Sequence, residues 1–113
     1  MSEKTIFEKI IAKEVPAQIV LENDDLIVIN DVNPQAPIHV LIIPKKRIAR
    51  ISESDEHDII LLGKLILAAK NFAKQKHLTS FRLVINDGVQ AGQTVPHLHI
   101  HLLAGRPMTW PPG

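Results

Sequence analysis

The chain has no cysteine. That excludes disulfides and thiolate metal sites, and it suits a reducing, cytoplasmic setting. Net charge is scarce too: 13 Lys and Arg against 12 Asp and Glu leave +1. There is thus no electrostatic case for a nucleic-acid or membrane-surface binder. No long apolar run is present. The most hydrophobic stretch, Ile59 to Ala69, is interrupted by Lys64 and is too short to span a bilayer. The opening segment MSEKTIFEKIIAKE is charged and amphipathic, so no secretory leader is expected. Internal repeats and low-complexity segments are also absent.

What is present fits one domain over residues 1–113, with 45% hydrophobic and 22% charged residues. A chain of this size buries roughly 65% of its unfolded surface, enough for one modest core. Thr5 and Glu8 have capping-box spacing, and Phe7, Ile10 and Ile11 recur at helical intervals; a short helix is predicted, ended by Pro16. AQIVLEN and DLIVINDV read as two strands around a turn at Asn23-Asp24-Asp25. NPQAP is a loop, and IHVLIIPKK is a third strand.

SESDEHDIILLGKLILAAKNFAKQKH is one long helix, with Ser52 or Ser54 as its cap and acids in its first turn. Its apolar stripe is Ile59, Leu62, Leu65, Ile66, Ala69, Phe72 and Ala73. FRLVIND and PHLHIHLLAG are two further strands, and RPMTWPPG is an irregular tail. Short links between strands favour antiparallel pairing. The fold class is therefore α+β: an antiparallel sheet of about five strands with one long and one short helix.

Three of the six histidines fall at alternate positions, in HLHIH. On a strand, His97, His99 and His101 share a face, while Leu98, Ile100 and Leu102 face the other way. The apolar set can bury against the long helix, leaving the histidines on an exposed face. Such a row is an incidental polar face, a metal site or a catalytic centre. No acid lies close in sequence to complete a metal site, whereas imidazole serves as nucleophile or general acid/base near neutral pH. The preceding segment favours catalysis. Asn86, Gly88, Gly92, Gln93 and Thr94 supply uncharged donors and close backbone approach ahead of the histidines. A phosphoryl centre needs that kind of shell. Gly88, following Asp87, reads equally as a plain turn.

GQTVPHLHIHLL resembles the histidine triad motif, and NPQAPIHVLIIPKK, LVINDG and WPPG extend the similarity from Ile6 to Gly113. Together they resemble the Hint branch of the histidine triad (HIT) superfamily, the small nucleoside phosphoramidate hydrolases. The resemblance implies that His99 attacks the α-phosphorus of a purine nucleoside 5′-phosphoramidate, forming a nucleotidyl-histidine intermediate. An amine leaves, and water then releases the nucleoside monophosphate.

On the same resemblance His97 and His101 orient His99 and contact the phosphate, with His39 as a further histidine near the triad. Asn86, Gln93 and Thr94 match phosphate and leaving-group contacts, beside Gly92; Asp31 matches an acid that binds the ribose hydroxyls. Ile6, Phe7, Ile10 and Ile29 would enclose the base. Family members are two-fold dimers, so Trp110 would help select the leaving group across an interface. No cofactor is implied. Many relatives carry an N-terminal cysteine pair that can bind zinc; Thr5 and Glu8 stand at that spacing here, so no such zinc is expected. Pro96 and Ala104 replace an aromatic residue and a glycine common in the family.

Read from the residues alone, His39 is equally a plain strand residue, Asp31 a turn cap and Ile29 core; His57 and His77 are surface. Cleavage of dinucleoside polyphosphates, nucleotidyl transfer, non-enzymatic nucleotide-binding regulation and metal-dependent hydrolysis stay open as alternatives.

Overall fold

The structure is a computed structural model and describes residues 3–113. Helix α1 (Ile6–Ile11) starts with the expected capping box: Thr5 Oγ1 accepts from Glu8 N–H, and the Glu8 carboxylate accepts from Thr5 N–H. Strands β1 (Ile19–Glu22) and β2 (Leu26–Asn30) form a hairpin. Its turn is held by Asn23, whose side-chain oxygen accepts from the backbone N–H groups of Asp25 and Leu26. Then come β3 (Ile38–Pro44), α2 (Ile59–Gln75), β4 (Arg82–Val84) and β5 (Ile100–Ala104). The strands form one antiparallel sheet in the order β1-β2-β3-β5-β4. Among the described residues, no helix is long and apolar enough to cross a membrane.

The sheet has two covered faces. On one, Leu65, Ala69, Phe72 and Ala73 of α2 pack on Leu26, Val28, Val40, Ile42, Leu98, Ile100 and Leu102. On the other, Phe7 and Ile10 of α1 pack on Ile27, Ile29, Leu41 and Ile43. The histidine-bearing face is therefore not the open surface expected from alternation alone. The short N-terminal helix covers it, and β3 is consequently buried along nearly its whole length.

Two other expectations need correction. The long helix does not start at Ser52 or Ser54. Two 3-10 turns, Ile51–Glu53 and Glu56–Asp58, precede it, and Asp55 caps the second in a box with Asp58. Ser54 donates instead to the Ile51 carbonyl, and Ser52 bonds Asp87. Short polar side chains that bond nearby backbone compete with helix, and here they win. The stripe of α2 is also narrower than predicted: Ile59 and Ile66 are 66% and 45% exposed.

Leu65 sits at the centre of the α2 contact and is fully buried. Leu65→Ala should cost about 2–5 kcal/mol, the usual loss for a core leucine. Urea denaturation should show a lower midpoint with an unchanged slope; a loss below about 1 kcal/mol would mean that α2 is not anchored through this residue.

Candidate active site

Register explains why histidines from distant segments meet. Leu41 pairs with His101 and His39 with Leu103, so His39 and His101 are diagonal neighbours on one face of adjacent strands. His39 Nε2 lies 2.9 Å from His101 Nδ1. The ring centroids of His99 and His101 lie 5.0 Å apart. Phe7, from α1, sets its ring edge-on to His99 at 5.0 Å and to His97 at 6.0 Å. Regular strand begins only at Ile100. His97 lies in a bend and His99 in the irregular approach to it, where Leu98 N–H donates to the Ile48 carbonyl. The alternation still holds, because Leu98, Ile100 and Leu102 all enter the α2 core.

The hydrogen bonds fix where each ring proton sits. A carbonyl oxygen only accepts, a backbone N–H only donates, and a neutral imidazole has one nitrogen of each kind. His99 Nδ1 is 2.7 Å from the His97 carbonyl oxygen, so Nδ1 carries the proton and Nε2 keeps a lone pair. His97 Nε2 is 2.8 Å from the Pro44 carbonyl oxygen, so that nitrogen is protonated. His39 Nδ1 accepts from Gln35 N–H at 3.0 Å. Its proton is therefore on Nε2, between His101 Nδ1 and an Asp31 oxygen 3.3 Å away. His101 then accepts at Nδ1 and carries its proton on Nε2. Among the described residues no buried side-chain nitrogen or oxygen lacks a partner. The unbonded Nε2 atoms of His99 and His101 are thus reachable from the cleft that both rings line.

Neutral rings are what burial demands. It is the largest cause of the lowered pKa at His39, His97 and His99. His101 is pushed down to about 4, by burial first and then by repulsion from His99 and His39. Asp31 opposes these shifts at His39, His99 and His101.

The cleft has a volume of about 250 Å³ and is walled by Ile6, Phe7, Ile10, Ile29, Leu41 and Val95, with Asp31, Thr94, His99 and His101 among its lining. One side is thus apolar and the other carries imidazoles and a carboxylate. Asp31 Oδ1 accepts from Asn33 N–H at 2.9 Å, so its turn-capping and cleft positions coexist.

Thr94 closes a loop in which Gly92 has φ +97°, a left-handed conformation that favours glycine. Asn86 flanks Gly92 without lining the cleft. Gln93 is buried and fully engaged: its side-chain oxygen accepts from Gly88 N–H, and its amide donates to the Ala49 and Val95 carbonyls. It shapes the loop from within. Trp110 is 82% exposed and outside the cleft of its own chain. His57 and His77 are at the surface, as expected.

The resemblance names Asp31 as a ribose contact, but nothing in the spacing along the chain sets that acid beside the histidines. Asp31, His39 and His101 each place a ligand atom within 4.8 Å of the others, a set with metal-ligand spacing joined across strands rather than along the chain. The donor set does not suit an ion. A metal on His39 Nε2 would move the ring proton to Nδ1, against the Gln35 N–H that now donates there.

A HIT domain family model matches residues 12–108. The chain is 54% identical, over the full length of both proteins, to an uncharacterised HIT-like protein of Synechocystis. It is 49% identical to adenylylsulfatase HINT1 of Arabidopsis thaliana, covering 96% of this chain and 76% of that one. Its structure superposes on a HIT family hydrolase from Legionella pneumophila with a TM-score of 0.95, at 45% identity and 97% and 100% coverage.

The lowered histidine pKa values predict how stability varies with pH. Below the ordinary histidine value of 6.5 the unfolded chain takes up protons that the folded site refuses, down to about 4 for His101. Stability should therefore fall as pH drops through that window and be regained above it. Urea midpoints measured from about pH 7 to about pH 5 should decline; a flat profile would contradict a buried, neutral cluster.

Proposed function

The chain belongs to the HIT family, and on that premise we propose that it hydrolyses purine nucleoside 5′-phosphoramidates through a nucleotide covalently held on His99. One observation carries this reading: His99 Nε2 has its lone pair free and facing a cleft with one apolar wall. The apolar wall of Phe7, Ile10 and Ile29 suits a base, and Asp31 suits ribose hydroxyls. Thr94, which lines the cleft, suits a phosphate as an uncharged donor. His97 is wholly buried with its Nε2 bound to Pro44, so it acts by holding His99 rather than by touching phosphate.

Attack by His99 Nε2 forms the N–P bond and breaks the P–N bond to the amine, which must leave with a proton. A bound phosphoramidate anion, with Asp31 nearby, makes a second proton on His101 tolerable; it comes from water onto Nδ1, and the His39 Nε2–H turns from His101 to the Asp31 carboxylate. His101 gives its Nε2 proton to the amine and becomes a neutral base. In the second step that base takes a proton from water as the water attacks phosphorus. This releases the monophosphate and frees His99.

The adenylylsulfatase relative favours a second leaving group, sulfate, on the same nucleotide. Sulfate departs as an anion and needs no proton. A two-fold dimer in the cytoplasm completes the reading. Ile59, Ile60, Ile66 and Leu67 form an exposed apolar face of α2, which supports a partner there. Trp110, also exposed, would act on the partner's cleft.

Mass spectrometry of protein quenched during turnover of an adenosine phosphoramidate should show a nucleotidyl adduct on His99, and His99→Ala should abolish both adduct and turnover. Normal turnover by His99→Ala defeats the reading. His101→Asn should slow single-turnover amine release by roughly 100-fold or more, the usual scale of acid catalysis. Sulfate release from adenylyl sulfate should hardly change. Equal losses would remove His101 from the role of acid.

A further inference from the structure

In the sequence Thr5 reads as a helix cap, standing where many relatives carry a cysteine. In the structure its hydroxyl oxygen also lies 3.3 Å from His97 Nδ1. Both residues are buried, Thr5 at 7% exposure and His97 at 0%. The direction of that contact follows from its neighbours. His97 Nε2–H donates to the Pro44 carbonyl, which leaves Nδ1 as an acceptor. Thr5 Oγ1 already accepts from Glu8 N–H at 3.1 Å, and its one proton remains to be given. The threonine hydroxyl therefore donates to His97 Nδ1, satisfying both groups in a dry site.

We infer that Thr5 is a positioning residue for the reactive centre: its hydroxyl locks His97 in the Nε2–H tautomer, and the locked ring holds the carbonyl that orients His99. The inference rests on the reading of His99 as nucleophile for its effect on rate, but its tautomer claim stands apart from that reading. In the opposite tautomer His97 Nε2 and the Pro44 oxygen would face each other as two acceptors across 2.8 Å. The Pro44–His97 link would be lost, and with it the fixed position of the His97 carbonyl, 2.7 Å from His99 Nδ1. Phe7, two residues on from Thr5, packs against both rings. The first turn of α1 thus grips the triad twice, through a hydroxyl and through an aromatic edge.

Three substitutions separate this role from capping. Thr5→Ser keeps the cap and the hydroxyl proton. Thr5→Asp keeps the cap, since aspartate accepts from an N–H as well as threonine does, but has no proton to donate. Thr5→Val loses both. Long-range proton–nitrogen correlation spectra of histidine-labelled protein read the tautomer at His97, and steady-state kinetics with an adenosine phosphoramidate read the consequence.

Thr5→Ser should keep His97 as Nε2–H and keep kcat within about twofold. Thr5→Asp should take His97 out of the single Nε2–H form and lower kcat roughly tenfold, the scale of one unsatisfied buried acceptor, with a smaller change in KM. If Thr5→Val folds, it should share that defect. A Thr5→Asp protein with His97 still purely Nε2–H and normal kcat overturns the inference, because capping alone would then account for Thr5. If the wild-type enzyme turns over no phosphoramidate, the substrate reading falls, while the His97 spectra still decide the role of Thr5.

Discussion

The hydrogen bond from His99 Nδ1–H to the His97 carbonyl, 2.7 Å long, decides which nitrogen of His99 reaches the cleft and in what electronic state. A backbone carbonyl cannot donate, so the bond leaves the lone pair on Nε2 without help from any charged group. The bond closes within the segment that carries the triad, so its geometry depends on how that short segment is held. Besides the grip of Thr5 and Phe7 from α1, three attachments hold it. Leu98 N–H donates to Ile48, His97 Nε2–H donates to Pro44, and the Leu98 and Ile100 side chains are buried under α2.

The architecture supplies what this bond needs. A sheet covered on both faces makes the site dry, and dryness keeps the imidazoles neutral. Neutral rings can alternate donor and acceptor, as in the sequence from Gln35 N–H to His39 to His101. The same arrangement makes the cluster poor at holding a metal, since the Gln35 N–H occupies the position that a metal-bound His39 would need for its own proton. One carboxylate, Asp31, stands at the edge of the row, where it tempers the cost of any charge that develops on His39, His99 or His101 during reaction.

Much of this was legible in the sequence, for reasons that can be named. Alternation at residues 97–102 identified the histidine and core faces, because strand period is fixed by backbone geometry. The capping box at Thr5 and Glu8 and the turn at Asn23 were equally readable, since both are local hydrogen-bond patterns. What could not be read was pairing across distance. Asp31 meets His39 through a turn and a strand register; Gln93 looked like a ligand contact but is engaged by Ala49 and Val95 carbonyls from within. Coverage of the histidine face by α1 followed from the family resemblance, which set Ile6, Phe7 and Ile10 at the site, and not from the residue pattern, because a short amphipathic helix does not declare which face of a sheet it will cover. The start of α2 was misplaced because serine and aspartate serve a cap and a 3-10 turn equally well.

The most direct measurement is of the ring protons themselves. Long-range proton–nitrogen correlation spectra of the wild-type, histidine-labelled protein at neutral pH distinguish the two neutral tautomers and the cation ring by ring. The account predicts that His99, alone among the four site histidines, carries its proton on Nδ1, while His39, His97 and His101 carry theirs on Nε2. A His99 protonated on Nε2 would leave no lone pair facing the cleft and would contradict it.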